Sequence, residues 1–236
     1  MQTIGELVRK TPCIALDAVG TVLRPNPPAA QVYWECGRQH GCRLEQEVVR
    51  QRLRLAFDEQ EAVDLSGDLR TSEDREVARW RSIVHAVFQE HPPETRERIF
   101  AELFEHYSHG AAWAVFEDAA KVIPALRAAG KQLILASNFD RRLRTVVGDL
   151  GLDQWFDHVV ISSEVGWRKP ARPFFAAIAT AAERAPSEII YVGDDMRNDY
   201  MGAAEAGMIA VHLDRRTHCR NASSARCIPS LDRLLL

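Results

Sequence analysis

The apolar run Cys13-Ile14-Ala15-Leu16 ends in one carboxylate, Asp17, and a small turn, Ala18-Val19-Gly20-Thr21, follows it. A buried strand that stops at an acidic residue delivers that carboxylate to the edge of a sheet. Asp17 reads there as a nucleophile able to accept a phosphoryl group. Position 19, two residues on, holds an uncharged Val. Three more polar clusters have a similar setting. Ser137 and Asn138 follow an apolar run at 132–136, and Lys169 lies in Glu164-Val165-Gly166-Trp167-Arg168-Lys169-Pro170. Asp194, Asp195 and Asp199 follow the run 189–192, just after Gly193. Singly, each is ordinary. An Asp after a strand more often caps a helix or closes a turn, and Ser-Asn is a common turn pair.

Chemistry requires that these clusters meet, and the elements between them say how. Strands are expected at 13–16, 132–136, 159–162, 189–192 and 208–212, with helices near 118–129, 141–150, 173–184 and 199–206 between them. Strands alternating with helices imply a parallel sheet covered on both faces. Such sheets bind ligands beyond the carboxyl ends of their strands, where all four clusters fall. The stretch 28–110 has almost no β-type runs. It reads as four helices, near 28–40, 44–63, 71–89 and 94–107, punctuated by Gly41 and Pro92-Pro93. The expected organisation is an α/β core formed by 1–24 and 112–236, interrupted by an all-helical insert at 25–111.

Composition narrows the function classes. A net charge of −3 gives no electrostatic case for nucleic acid or an anionic membrane. No apolar run approaches the roughly 20 residues that cross a bilayer, and the first residues lack a signal-peptide core, so a cytoplasmic location is the default expectation. The five cysteines form no CxxC pair and read as reduced thiols. Cys219 and Cys227, with His212 and His218, match no common zinc spacing. Oligomeric state stays open.

The order of the four clusters changes their weight. Together, Gly20-Thr21 after the nucleophile, Ser137-Asn138-Phe139-Asp140, 166–170, Gly193-Asp194 through Asp199, and Gly202-Ala203 with Ala206-Gly207-Met208 resemble the haloacid dehalogenase superfamily of phosphatases and related hydrolases. The stretch 137–143 is also similar to the branch containing the domain-containing protein 3 group. The resemblance implies a Rossmann-like core with a four-helix cap in the insert, and an Mg²⁺ site. Asp17 and Asp194 would supply its carboxylates, and Val19 its backbone carbonyl. Asp17 would form an aspartyl-phosphate. Ser137, Asn138 and Thr21 would contact substrate, and Lys169 would neutralise Asp17 and the transferring group. Asp199 and Asp195 would orient metal waters or hold Lys169. The implied partner is a small phosphorylated metabolite.

Val19 departs from the phosphatase pattern, where an Asp two residues after the nucleophile protonates the leaving group and then activates water. General acid–base catalysis is worth about 10²–10⁴-fold, or about 3–5 kcal/mol of barrier. Several readings stay open. The chain is a phosphohydrolase of reduced activity or restricted to good leaving groups. Alternatively, another group supplies the proton, for which His40, His85, His91, His106 and His109 of the insert are the histidines in question. It could instead be a catalytically quiet protein that binds a phosphorylated ligand or a protein partner. The further alternative is a 2-haloacid dehalogenase, whose leaving group needs no proton; those enzymes work without metal, and Gly193-Asp194-Asp195 resembles the metal-binding form, so the phosphatase is preferred. Trp34, Trp80 and Trp113 are candidates to line the cap.

Overall fold

A computed structural model describes residues 3–217, 219 and 226–235. Its centre is a six-stranded, all-parallel sheet. The strands are β1 (Cys13–Leu16), β4 (Gln132–Ser137), β5 (His158–Ile161), β6 (Ile189–Gly193), β7 (Ile209–Leu213) and β8 (Cys227–Ile228), in the order β5-β4-β1-β6-β7-β8. A separate antiparallel pair, β2 (Leu23–Pro25) and β3 (Trp113–Val115), brackets the helical stretch. All four residues of β1 are buried. Because strand side chains alternate between faces, Ile14, Leu16, Leu133, Leu135, Ile190 and Val192 join one core and Cys13, Ala15, Ile134, Ala136, Ile189 and Tyr191 another. Two separate apolar layers are what an α/β sheet covered on both sides requires. The fold is a Rossmann-like α/β core, as the alternating pattern implied.

The helices are α1 (Ile4–Lys10), α2 (Ala29–Gln39), α3 (Gln46–Ser66), α4 (Glu73–Val87), α5 (Pro93–His106), α6 (Glu117–Ala128), α7 (Arg142–Asp149), α8 (Ser162–Val165), α9 (Arg172–Ala182) and α10 (Gly202–Glu205). Local chemistry sets their starts. The Ser72 side chain accepts a hydrogen bond from Arg75 N at the head of α4, and acidic Glu73, Asp74 and Glu76 fill its first turn. Pro93 opens α5, where its missing N–H costs nothing. Helices α2 to α5 all lie between β2 and β3 and pack on one another. None of the described helices is long and apolar enough to cross a membrane.

Several details differ from the expectations. The segment after β6 begins as a π-helical turn, Met196–Met201, before α10, because the Asp195 side chain caps the N–H groups of Arg197 and Asn198 and starts the helix early. The short strands β2 and β8 and the helix α1 escape a reading based on long periodic runs. Cys219 and Cys227, taken as reduced thiols, are joined in a disulfide, whereas Cys13, Cys36 and Cys42 are free and buried. An odd cysteine count argues against a disulfide framework but not against one local pair eight residues apart. His218, the fourth member of that cluster, lies outside the described residues.

Candidate active site

The register of the sheet brings the polar clusters together. Leu16 pairs with Leu135 on β4 and with Val192 on β6, so Asp17, Ser137 and Asp194 leave three adjacent strands at nearly the same level. The Asp17 N–H continues the ladder by donating to Val192 O at 2.9 Å. Carboxylate oxygens of Asp17, Asp194 and Asp199 lie within 4.8 Å of one another. The Lys169 ammonium sits among them, donating to Asp17 Oδ1 and Asp199 Oδ1 at 2.6 Å each. Asp17, Lys169 and Asp199 are all buried, at 5%, 4% and 1% exposure, so their interaction is only weakly screened by solvent.

Two glycines permit this crowding. At Gly20 the backbone turns at φ +97°, and a Cβ would run into the Asp194 carboxylate. At Gly193 a Cβ would collide with the side chain of Asp199. Both positions exclude side chains because carboxylates occupy that space.

The electrostatics follow from the geometry. Burial would lower Lys169, but the Asp17 and Asp199 carboxylates outweigh it and hold the ammonium well above the ordinary lysine range. Burial pushes Asp17 up to about 8; Lys169 opposes that rise, and Asp199 and Asp194 add to it. Asp194 keeps solvent contact, yet the crowding of protein around it and the charge of Asp199 push its carboxyl up to about 6 against the pull of Lys169. Three carboxylates thus share one cation.

The supporting residues act differently from the expectations in several places. Asn138 clamps the lysine backbone from both sides: its Oδ1 accepts from Lys169 N at 2.7 Å and its Nδ2 donates to Lys169 O at 3.2 Å. Its amide is spent on positioning Lys169, although it also borders the cavity. The side chain of Asp195 is spent on the helix cap described above, while its N–H donates to Asp199 Oδ2 at 3.0 Å. Thr21 is completely buried, its hydroxyl oxygen has no partner among the described residues, and it is absent from the cavity wall, so the expected substrate contact is not prepared. Ser137 does border the cavity.

Above the cluster opens a cavity of about 790 Å³, bordered on one side by Asp17, Val19, Ser137, Lys169, Asp194 and Asp199 and on the other by side chains of α2 to α5. Trp80 and Trp113 line it. Trp34 does not; its indole N–H donates to Leu44 O. No histidine of the described residues borders the cavity, so His40, His85, His91, His106 and His109 are not placed to replace an acid at position 19.

The family profile described as haloacid dehalogenase-like hydrolase matches residues 11–207. The chain belongs to that family. Human haloacid dehalogenase-like hydrolase domain-containing protein 3 is 30% identical over 199 residues, covering 81% of this chain and 77% of its own. Among solved structures, a dehalogenase with an intermediate complex superposes with a TM-score of 0.75 at 16% identity, covering 95% of this chain and 96% of its own. An HAD phosphatase from Thermococcus onnurineus superposes at 0.64 with 24% identity, covering 94% and 95%. At these identities the two structures speak for the fold.

Two features of this hydrolase were not visible in its sequence. The Tyr191 hydroxyl accepts from Lys169 Nζ at 3.1 Å and lies 3.1 Å from Asp199 Oδ1 and 3.3 Å from Ala136 O, either of which can take its proton. Tyr191 sits inside the apolar strand β6, where a tyrosine reads as core. The other feature is a buried ionic network joining the Lys169 loop to the helical insert. Arg168 pairs with Glu76 and, at 3.3 Å, with Asp64, while Arg79 also holds Asp64 at 2.8 Å. Backbone bonds from Arg168 N to Leu69 O and from Thr71 N to Gly166 O stitch the same two loops.

Proposed function

We propose that this hydrolase is a phosphoric-monoester hydrolase that works with a bound Mg²⁺ and uses Asp17 as its nucleophile. The single observation that carries the reading is the cluster of buried Asp17 and Asp199 and solvent-facing Asp194 around Lys169 at the strand ends. The cluster fits a hard dication. Its donors are carboxylate oxygens, the choice of Mg²⁺. It holds more negative than positive charge; burial, and after it the neighbouring carboxylates, push Asp17 and Asp194 up. Asp17, Asp194 and the backbone carbonyl of Val19 would hold the ion. When bound, it supplies charge neutralisation that lets a carboxylate approach a phosphate dianion.

The chain's own residues account for the rest. Lys169 engages Asp17 Oδ1, which leaves Oδ2 to attack phosphorus, and its charge also stabilises the transferring phosphoryl oxygens. Asn138, Tyr191 and Asp199 fix where that ammonium stands. Ser137 offers a hydroxyl to a phosphoryl oxygen. The helices of 25–111 act as a cap that closes the site from water and selects the leaving group. Val19 gives no proton, so turnover is reduced for alkyl leaving groups.

p-Nitrophenyl phosphate with Mg²⁺ tests the reading, because its leaving group hardly needs an acid. Turnover that is lost in Asp17→Asn and on chelation with EDTA supports it. Absence of turnover in wild type, matched by Asp17→Asn, hands the site to a quiet binding protein. Release of halide from a 2-haloacid, unaffected by EDTA, makes it a dehalogenase.

A further inference from the structure

The cavity has two chemically distinct ends. At one lies the acid cluster; at the other, the rings of Tyr33, Phe57, Trp80, Phe104, Tyr107 and Trp113 border the cavity. Several of these rings meet edge-on or tilted. Phe57 meets Trp80 with ring centroids 5.4 Å apart, and Tyr107 meets Trp113 at 5.6 Å. Aromatic rings in such arrangements present faces and edges to a planar guest.

Arg79, Arg142 and Arg168 also border this chamber, but their charge is already committed. Arg142 makes a bidentate pair with Asp140 at 2.8 and 2.7 Å, donates to Phe104 O at 3.0 Å, and lies over the Phe104 ring at 3.6 Å. Arg79 and Arg168 are tied to Asp64 and Glu76. Arg215, also in the lining, is tied to Asp118, and Arg216 is exposed with no ion pair among the described residues. The ring-lined part of the cavity, whose bordering Arg79, Arg142 and Arg168 are all paired, therefore suits an apolar leaving group.

The volume of about 790 Å³ falls among pockets that enclose drug-sized ligands, roughly 300–1,000 Å³. It greatly exceeds the need of a two- or three-carbon substrate. Independently, Val19 denies the leaving oxygen a proton. A phenolate leaves without one far more readily than an alkoxide, since phenols titrate near about 10 and water, to which simple alkanols are close, near about 16.

Resting on the phosphatase reading above, we infer that the substrate class is an aryl phosphate monoester with a flat, apolar ring system seated among Trp80, Phe57 and Phe104. The Asp17 carboxylate oxygen forms a bond to phosphorus as the phosphorus–aryl oxygen bond breaks. The electron pair leaves on the phenolate, which takes its proton from solvent. Water then attacks the phosphorus, the bond to Asp17 breaks, and inorganic phosphate and the free carboxylate result.

Binding and turnover test this separately. With Mg²⁺ present, 1-naphthylmethylphosphonate and butylphosphonate, neither hydrolysable, are titrated into the wild-type protein by calorimetry. The aryl compound binds at least tenfold more tightly, and Trp80→Leu, which keeps an apolar side chain, removes most of that preference. Equal affinities, or a preference that Trp80→Leu leaves intact, overturn the inference. Acetyl phosphate, small and with a good leaving group, reports phosphoryl transfer alone. Its Asp17-dependent hydrolysis alongside equal phosphonate affinities leaves the phosphatase standing and removes the aryl class. Aryl preference in binding without hydrolysis of acetyl phosphate or aryl phosphates removes the phosphatase and leaves only an aryl-selective pocket.

Discussion

Replacing Arg168 with Met tests how the helical insert holds the loop that carries Lys169. Glu76 is 1% exposed and Arg168 3%. In wild type the Glu76 carboxylate accepts from the Arg168 guanidinium and from the Thr71 hydroxyl, the latter at 2.6 Å. Asp64 keeps Arg79 and Arg75 when Arg168 is lost, but Glu76 keeps only the hydroxyl. Breaking one side of a buried pair leaves an uncompensated charge and costs about 3–5 kcal/mol. For a domain of this size each kcal/mol moves Tm by about 2–4 °C, so Arg168→Met lowers Tm by about 6–20 °C. Neutralising the stranded group should undo much of this. The double variant Arg168→Met, Glu76→Gln is therefore expected to be more stable than Arg168→Met alone, with a coupling of at least about 2 kcal/mol in the cycle. Urea unfolding of the four proteins measures it. The backbone bonds Arg168 N to Leu69 O and Thr71 N to Gly166 O do not depend on the side chain. Activity at a temperature where the variant is folded should then fall by less than about tenfold, or about 1.4 kcal/mol of barrier. A cost below about 1 kcal/mol for Arg168→Met, or a double variant as damaged as the sum of the singles, would refute the view that Arg168 and Glu76 are a compensating buried pair.

Val19→Asp restores a carboxyl where the leaving group and the attacking water need one; alkyl phosphate hydrolysis should rise at least tenfold, within the ~10²–10⁴ range of acid–base catalysis. An unchanged rate in a folded variant would mean that position 19 does not face the reacting oxygen. On the proposed mechanism, the same absence of a base makes hydrolysis of the aspartyl-phosphate slower than its formation, so rapid mixing with p-nitrophenyl phosphate should show a burst of phenolate near one equivalent, shrinking in Val19→Asp. Asp17→Asn removes one of the carboxylates proposed to hold Mg²⁺ and should lose the Tm increase that Mg²⁺ gives wild type; an equal increase in the variant would show that Asp17 does not hold the ion. Burial pushes the Asp118 carboxyl up, but the Arg215 guanidinium, the Leu231 N–H and the Ser230 hydroxyl more than offset this, and it sits below its ordinary value. That stabilisation is full above the unfolded-state value of about 3.9 and disappears as pH falls through the lower folded-state value. Below about pH 4, wild type should lose stability more steeply than Asp118→Asn, and parallel curves would rule out the contribution.

Much of this was legible in the sequence because it depends on short-range rules. Apolar runs flanked by glycine or proline mark β1, β4 and β6, and each ends one residue or less from the side chain it delivers. Asp17, Lys169, Asp194 and Asp199 could be gathered because all follow such runs or their connecting loops. What escaped depends on partners far apart in the chain. Arg168 and Glu76 are separated by 92 positions, and Asn138 and Lys169 by 31. The family resemblance of Ser137-Asn138-Phe139-Asp140 implied that Asn138 faces the substrate; only the folded chain shows its amide closing on the lysine backbone. Tyr191 was hidden by its surroundings, since one hydroxyl inside Ile-Ile-Tyr-Val-Gly does not disturb an apolar pattern. The strands β2 and β8, of three and two residues, are too short to have a periodicity.

Phosphoryl transfer, the reaction proposed above, asks a protein mainly for positioning and for charge at the equatorial oxygens, and the placement of Lys169 and the carboxylates suits both. Lys169 is held by three side-chain contacts at its ammonium and two at its backbone, while its loop is tied to the insert through Arg168. Keeping Asp17, Asp194 and Asp199 together works against the stability of the metal-free fold, because like charges in a poorly solvated place repel. A protein that only needed this fold would be more stable with one of them neutral. The missing piece at Val19 is of another kind. It concerns the proton alone, and a leaving group of low basicity makes that proton dispensable. The acid cluster, the aromatic chamber and the uncharged position between them are thus consistent parts of one site.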